Sequence, residues 1–223
     1  MAKSRPKRER PVSTLERKPG RREPRRCVLI VCEGAQTEPN YFRCLRAMWK
    51  LVPVEVEIIE GKRCGSAPTC VVDHAIRLKR QRLRDAATSH AALAFDEAWC
   101  VFDREGPQSD HVFLAAVDKA KGNGISLAVS APAFEYWFLC HFTETTRPFR
   151  NADELVGVLR EHLPDYSKGR IAFERLRDQT GTACERASRL WLGLKDDANE
   201  FPNPSTLVFK LVSKLREMSR SHK

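Results

Sequence analysis

Residues 27–41 read CVLIVCEGAQTEPNY, and the fold is decided there. The run Cys27-Val28-Leu29-Ile30-Val31-Cys32 is apolar without alternation. Such a run suits a strand buried on both faces, as in a parallel sheet. It stops at Glu33-Gly34, where the glycine is suited to a left-handed turn out of the strand. Glu33 is then expected at the carboxyl end of a strand, where open α/β sheets place ligands. Thr37 is a candidate N-cap, with Pro39 in the first turn, for a helix through Tyr41, Phe42, Leu45 and Trp49.

The pattern repeats downstream. Val54–Ile59 alternates apolar and acidic residues, as a half-exposed strand does. Gly61–Pro68 reads as a polar loop. A helix follows from about Thr69, with Val72, Ile76, Lys79 and Leu83 on one stripe. Ala98–Phe102 is another buried-type strand, leading into Asp103-Arg104-Glu105-Gly106-Pro107. Ser109 is a candidate N-cap for the next helix, which Gly122-Asn123-Gly124 ends. Ile125–Ser130 is the fourth strand, Ala131-Pro132 breaks it, and Phe134–Phe142 reads as a buried helix. Strands alternating with helices over 27–130 predict an α/β fold with a parallel four-stranded sheet and right-handed crossovers. Helices are expected over 153–163, 171–192 and 204–220, as a helical extension to an α/β core of 27–142.

The net charge of +10 is unevenly placed. Residues 1–26 hold eleven Lys/Arg and three Glu, a net +8, and the remainder is near neutral at +2. With four prolines and few apolar residues, 1–26 is expected to be a disordered basic tail. It suits either a phosphate-neutralising tether for nucleic acid or a solubilising tail. No stretch is long and apolar enough to span a membrane, and the N-terminus lacks signal-peptide features, so a cytoplasmic location is expected. The eight cysteines and six histidines have no zinc-ligand spacing.

Chemistry points to the acids. Glu33 follows the first strand, and Asp103 and Glu105 follow the third. A parallel sheet brings both turns to one edge. Carboxylates meeting there would repel unless a cation intervened, and hard oxygen ligands suit Mg²⁺ or Mn²⁺. Such an ion can serve phosphodiester cleavage. Glu38 and Glu135 are further candidates, since Glu135 interrupts an apolar segment. The same residues also have ordinary uses, as helix-start acids and turn residues. Arg77, Lys79, Arg80, Arg82 and Arg84 form a basic cluster that could touch a phosphate backbone or simply be solvated. Phosphate-loop, dinucleotide and nucleophile-elbow motifs are absent.

The segments VLIVCEGAQTEPNYF (28–42), AWCVFDRE (98–105), AVSAPAFEYWFLCHF (128–142), PDYSKGR (164–170) and NPSTLVFKLVSKL (203–215) resemble the RloB-like family. That resemblance implies a Toprim-like fold, a place in antiphage defence and abortive infection, and an AAA/ABC-type ATPase partner encoded nearby. By position it makes Glu33 the Toprim glutamate, a metal ligand or general acid/base. Asp103 and Glu105 then hold the metal, with Glu in place of the second Asp. Ala131 stands where the family usually has Asn. Lys168 is a candidate phosphate contact or a capping or surface residue, and Asn203–Thr206 is expected to start the last helix. The implied activity is a metal-dependent nuclease acting on DNA or RNA. The alternative is a non-catalytic Toprim-like scaffold subunit. A homo-oligomer is a further open option.

Overall fold

The computed structural model describes residues 26–51, 54–58, 67–89, 93–106, 110–170, 172–196 and 199–220. The expectations for the basic tail (except Arg26), most of the loop after the second strand, and Ser109 fall outside these.

The five apolar residues of β1 (Val28–Cys32) are all buried, as their unbroken run requires. β1 pairs in parallel with β2 (Val54–Ile58) on one side and β3 (Glu97–Asp103) on the other. β3 pairs in parallel with β4 (Ser126–Ala131). The connecting helices are α1 (Thr37–Met48), α2 (Pro68–Thr88) and α3 (Asp110–Gly122). After β4 come α4 (Glu135–Leu139), α5 (Ala152–His162), α6 (Phe173–Leu176) with a 3-10 turn, and α7 (Thr180–Leu194). The chain ends in β5 (Ser205–Thr206) and α8 (Val208–Arg220). The sheet order is β2-β1-β3-β4-β5.

The expected four parallel strands are thus joined by a fifth. Ser205–Thr206 is an antiparallel edge strand, with Ser130 opposite Thr206 and Ala131 opposite Ser205, rather than the start of the last helix. The Ser130 and Thr206 hydroxyls hydrogen-bond at 2.8 Å, both buried. Two residues carry no periodicity, so tertiary pairing alone made this strand. The expected long helix over 171–192 is likewise broken into α6, the 3-10 turn Arg177–Gln179, and α7.

Right-handed crossovers set α1 on one face of the sheet and α2 and α3 on the other. On the α1 face, Tyr41 meets Phe134, Trp137, Phe138 and Phe173 edge-on, at ring centroids of 5.6–6.2 Å. That aromatic cluster binds α1, α4 and α6 together. The expected stripe on α2 holds at Val72 and Ile76 and fails at Leu83. Its buried residues are Val71, Val72, Ala75 and Ile76, while Leu83 is 61% exposed. The physical reason is length: twenty-one helical residues run roughly 32 Å, whereas a seven-residue strand spans roughly 23 Å. The last turns of α2 therefore overhang the sheet. α4 is shorter than the Phe134–Phe142 span but is buried on every side.

Arg104 fixes the chain after β3. Its guanidinium makes a two-pronged contact with Asp110 (3.1 and 3.2 Å), donates to Asn199 Oδ1 and to the Phe201 carbonyl (2.8 Å each), and lies over the Phe113 ring. One side chain thus ties the β3 exit to α3 and to the segment before β5. Arg104→Ala is expected to cost about 2–4 kcal/mol in urea denaturation, because three acceptors lose a charged donor. Arg104→Lys is expected to recover under half, since an ammonium cannot reproduce the fork.

A candidate acidic metal centre at the sheet edge

The carboxyl ends of β1, β3 and β4 meet at one edge. The Glu33 amide donates to the Val101 carbonyl at 2.9 Å, extending the β1–β3 ladder by one bond. The Glu33 side chain then turns across to β3, where Oε2 accepts from the Asp103 amide at 3.3 Å. The Arg104 amide donates to Ser130 at 2.8 Å. Asp103 and Glu105 thus face the cleft while Arg104 points away into its own network.

The cleft has a volume of ≈ 360 Å³, and five carboxylates line it: Glu33, Glu38, Asp103, Glu105 and Glu135. Lys168 is the one cation among the described lining residues. All four acids expected at the site, and both supporting candidates, are therefore brought together.

Burial and mutual repulsion show in their acidities. Burial pushes Glu33 up to about 7, opposed by the hydrogen bond from the Asp103 amide, with Glu105 and Glu38 adding repulsion. Asp103 is pushed well above the usual carboxylate range by burial, then by Glu38, Glu135 and Glu33. Its Oδ1 is buried without a hydrogen-bond partner. Glu38 is raised by burial, while backbone amides and Lys168 pull it back.

Gly34 has a different purpose from the one expected. Among the described glycines, positive φ is found at Gly106, Gly124 and Gly169, not at Gly34. A Cβ at Gly34 would overlap the Glu38 carboxylate, which folds back over it. The glycine makes room for an acid. Thr37 is correspondingly not the cap. Gln36 holds that position without a side-chain cap bond, and Glu38 supplies the first-turn acid.

Glu135 begins α4 and is 4% exposed. Its Oε1 accepts from the Tyr166 hydroxyl at 2.7 Å. No periodicity or spacing marked that link, because Tyr166 arrives from a turn between helices.

The basic cluster lies elsewhere. Arg82 holds Glu55 at 2.6 Å, Lys79 donates to the Gly124 carbonyl, Arg80 to Asn123, and Arg77 contacts His74. Glu55 and Gly124 stand at the amino ends of β2 and β4, so Lys79 and Arg82 sit at the sheet edge opposite the cleft. Arg43, Arg46 and Lys50 on the outer side of α1 line a separate groove of ≈ 340 Å³, which sequence reading missed; it runs from α1 towards Leu51, beside the amino end of β2 and away from the cleft.

Hard carboxylate oxygens suit Mg²⁺ or Mn²⁺. Among the described residues, no three His, Cys, Asp or Glu side chains stand close enough to form a protein cage for an ion. Mg²⁺ does not need one: it keeps several waters and is usually held through one or two carboxylates. Glu33 and Asp103, with Glu105 beside them and an acceptor of Asp103 unsatisfied, fit a hydrated ion of that kind.

A protein-family model described as RloB-like protein matches residues 28–215. No curated protein and no solved structure matches the chain. Among the described residues, no helix is long and apolar enough to cross a membrane.

Proposed function

The chain belongs to the RloB-like protein family, and from that premise we propose that it is a metal-dependent phosphodiesterase of Toprim-like architecture. Its substrate is nucleic acid, and it acts as an effector of antiphage defence beside an AAA/ABC-type ATPase. The observation that carries this reading is Asp103: a half-buried carboxylate at a parallel sheet edge, among four other acids, with its Oδ1 buried and left unpartnered. A buried acceptor of that kind costs about 1–3 kcal/mol unless something satisfies it. A divalent cation does so without a redesign of the site.

Glu33 and Asp103 would hold the ion, with Glu105 reaching it through its longer arm. Bound Mg²⁺ or Mn²⁺ would polarise the phosphoryl group and stabilise the leaving oxygen. Glu33, with an acidity near neutral, suits proton transfer to or from the attacking or leaving oxygen. Lys168 would face a non-bridging phosphate oxygen across the cleft. Glu38 and Glu135 shape the acidic wall.

The test is cleavage of DNA and RNA by the full chain in Mn²⁺, alone and with its co-encoded ATPase. Glu33→Gln is expected to reduce cleavage by about two orders of magnitude or more. Cleavage that survives both Glu33→Gln and chelator would overturn the assignment. The scaffold reading is favoured because, among the described residues, no three of these acids stand close enough together to cage an ion. Absence of Mn²⁺ binding in calorimetry would select it.

A further inference from the structure

Tyr166 stands outside the strand-end motifs, yet it touches the cleft. The helix α5 ends at His162, and the chain then turns back towards the sheet edge. The Tyr166 amide donates to the Leu163 carbonyl at 2.9 Å, and its own carbonyl accepts from Arg160 Nε at 3.3 Å. Its ring meets Phe138 edge-on at 6.0 Å. Backbone and ring are thus held on three sides, and the side chain is 5% exposed. From that fixed base the hydroxyl donates to Glu135 Oε1.

The rest of the turn is pinned as well. Ser167 bridges to Arg170, and the Gly169 carbonyl accepts from Asn40 Nδ2 on α1 at 3.1 Å. Gly169 has φ +87, a backbone conformation that glycine adopts without penalty. Lys168 is thereby set on the lip of the same cleft.

We infer that Tyr166 is the positioning residue for Glu135, fixing that carboxylate so that its second oxygen is presented to the cleft and to a hydrated divalent cation there. A carboxylate can use either oxygen and rotate about its last bond. A phenol donor on Oε1 removes that freedom. Partners that orient ligand groups in this way change metal affinity by about 10–100-fold when removed. The inference rests on the metal-centre reading above. It adds that the helical part of the chain, through Tyr166, completes a centre whose acids come from the α/β part.

The experiment is Mn²⁺ calorimetry with a thermal melt on the full chain, for wild type, Tyr166→Phe, Glu135→Gln and the double variant. Phenylalanine keeps the ring that packs on Phe138, and glutamine keeps an acceptor for Tyr166. Tyr166→Phe is expected to bind Mn²⁺ about 10–100-fold more weakly. It is expected to add no further loss in the Glu135→Gln background, because it acts through Glu135. A loss from general loosening would instead add to that of Glu135→Gln, and additive losses overturn the inference. So does equal affinity of Tyr166→Phe and wild type. Wild type that binds no Mn²⁺ removes the metal-centre reading itself, and this inference with it.

Discussion

Asp103→Asn is expected to abolish Mn²⁺ binding and nucleic-acid cleavage while making the metal-free protein more stable. The two effects have one cause. Asp103 is half-buried, its Oδ1 is buried without a hydrogen-bond partner, and Glu38, Glu135 and Glu33 all oppose its ionisation. Without a cation the site is destabilised by its own charge. Asparagine keeps the shape, removes the charge and leaves a donor that can face the neighbouring acids. The gain in stability at pH 8 is expected to be about 1–2 kcal/mol, read from urea denaturation in chelator. The loss of Mn²⁺ affinity is expected to exceed 100-fold. A variant that loses stability and keeps its metal would show that Asp103 is a structural acid only.

The second large effect is in pH. Glu33 titrates at about 7 in the fold against an ordinary value of 4.5. An acid with a raised folded pKa binds its proton more tightly in the native state than in the unfolded chain. The native state therefore holds the extra proton between about 4.5 and about 7. The stability this supplies is present at the low end of that window and is lost as pH rises through it. His141 works the other way. Burial holds its imidazole down at about 4, so the native protein loses stability as pH falls below the ordinary 6.5. The two slopes oppose each other between about 4.5 and 6.5, and a bare stability curve would hide both.

The difference between wild type and Glu33→Gln isolates the acid. In chelator, Glu33→Gln is expected to gain stability relative to wild type as pH rises from 5 to 8, by ~1–3 kcal/mol once solvent screening of a partly exposed group is allowed for. In saturating Mn²⁺ the trend is expected to reverse, because metal binding takes the deprotonated carboxylates and releases their protons. Mn²⁺ affinity of wild type should accordingly rise with pH up to about 7. A difference curve that is flat in pH would show that Glu33 does not titrate in this window.

Much of the site was legible because its signals are local. An apolar run ending in an acid and a glycine is read without knowledge of the rest of the chain, and β1 with Glu33 followed directly. The same holds for β3 and Asp103, and for the alternation of strands and helices that brings both acids to one edge. Glu135 stood out because an acid interrupts an otherwise apolar segment. Gly34 was legible as necessary but for the wrong reason, since the space it gives is taken by a side chain four residues on.

What sequence determined alone is the parallel α/β framework and the edge at which its acids meet, because period, strand exits and crossover handedness are local and chiral properties of the chain. What the tertiary structure decided is everything that depends on who arrives from a distance. Ser205–Thr206 became a strand because β4 had an open edge beside it. The α2 cations were sent to the far edge because α2 runs back along the strands, so its late residues meet Glu55 and Gly124 at their amino ends. Tyr166 and Lys168 reached the acidic cleft because a turn, itself without periodicity, is pinned to α1 and packed on α4. Such contacts join residues scores of positions apart, and nothing in the local pattern of charge or hydrophobicity encodes which of them will meet.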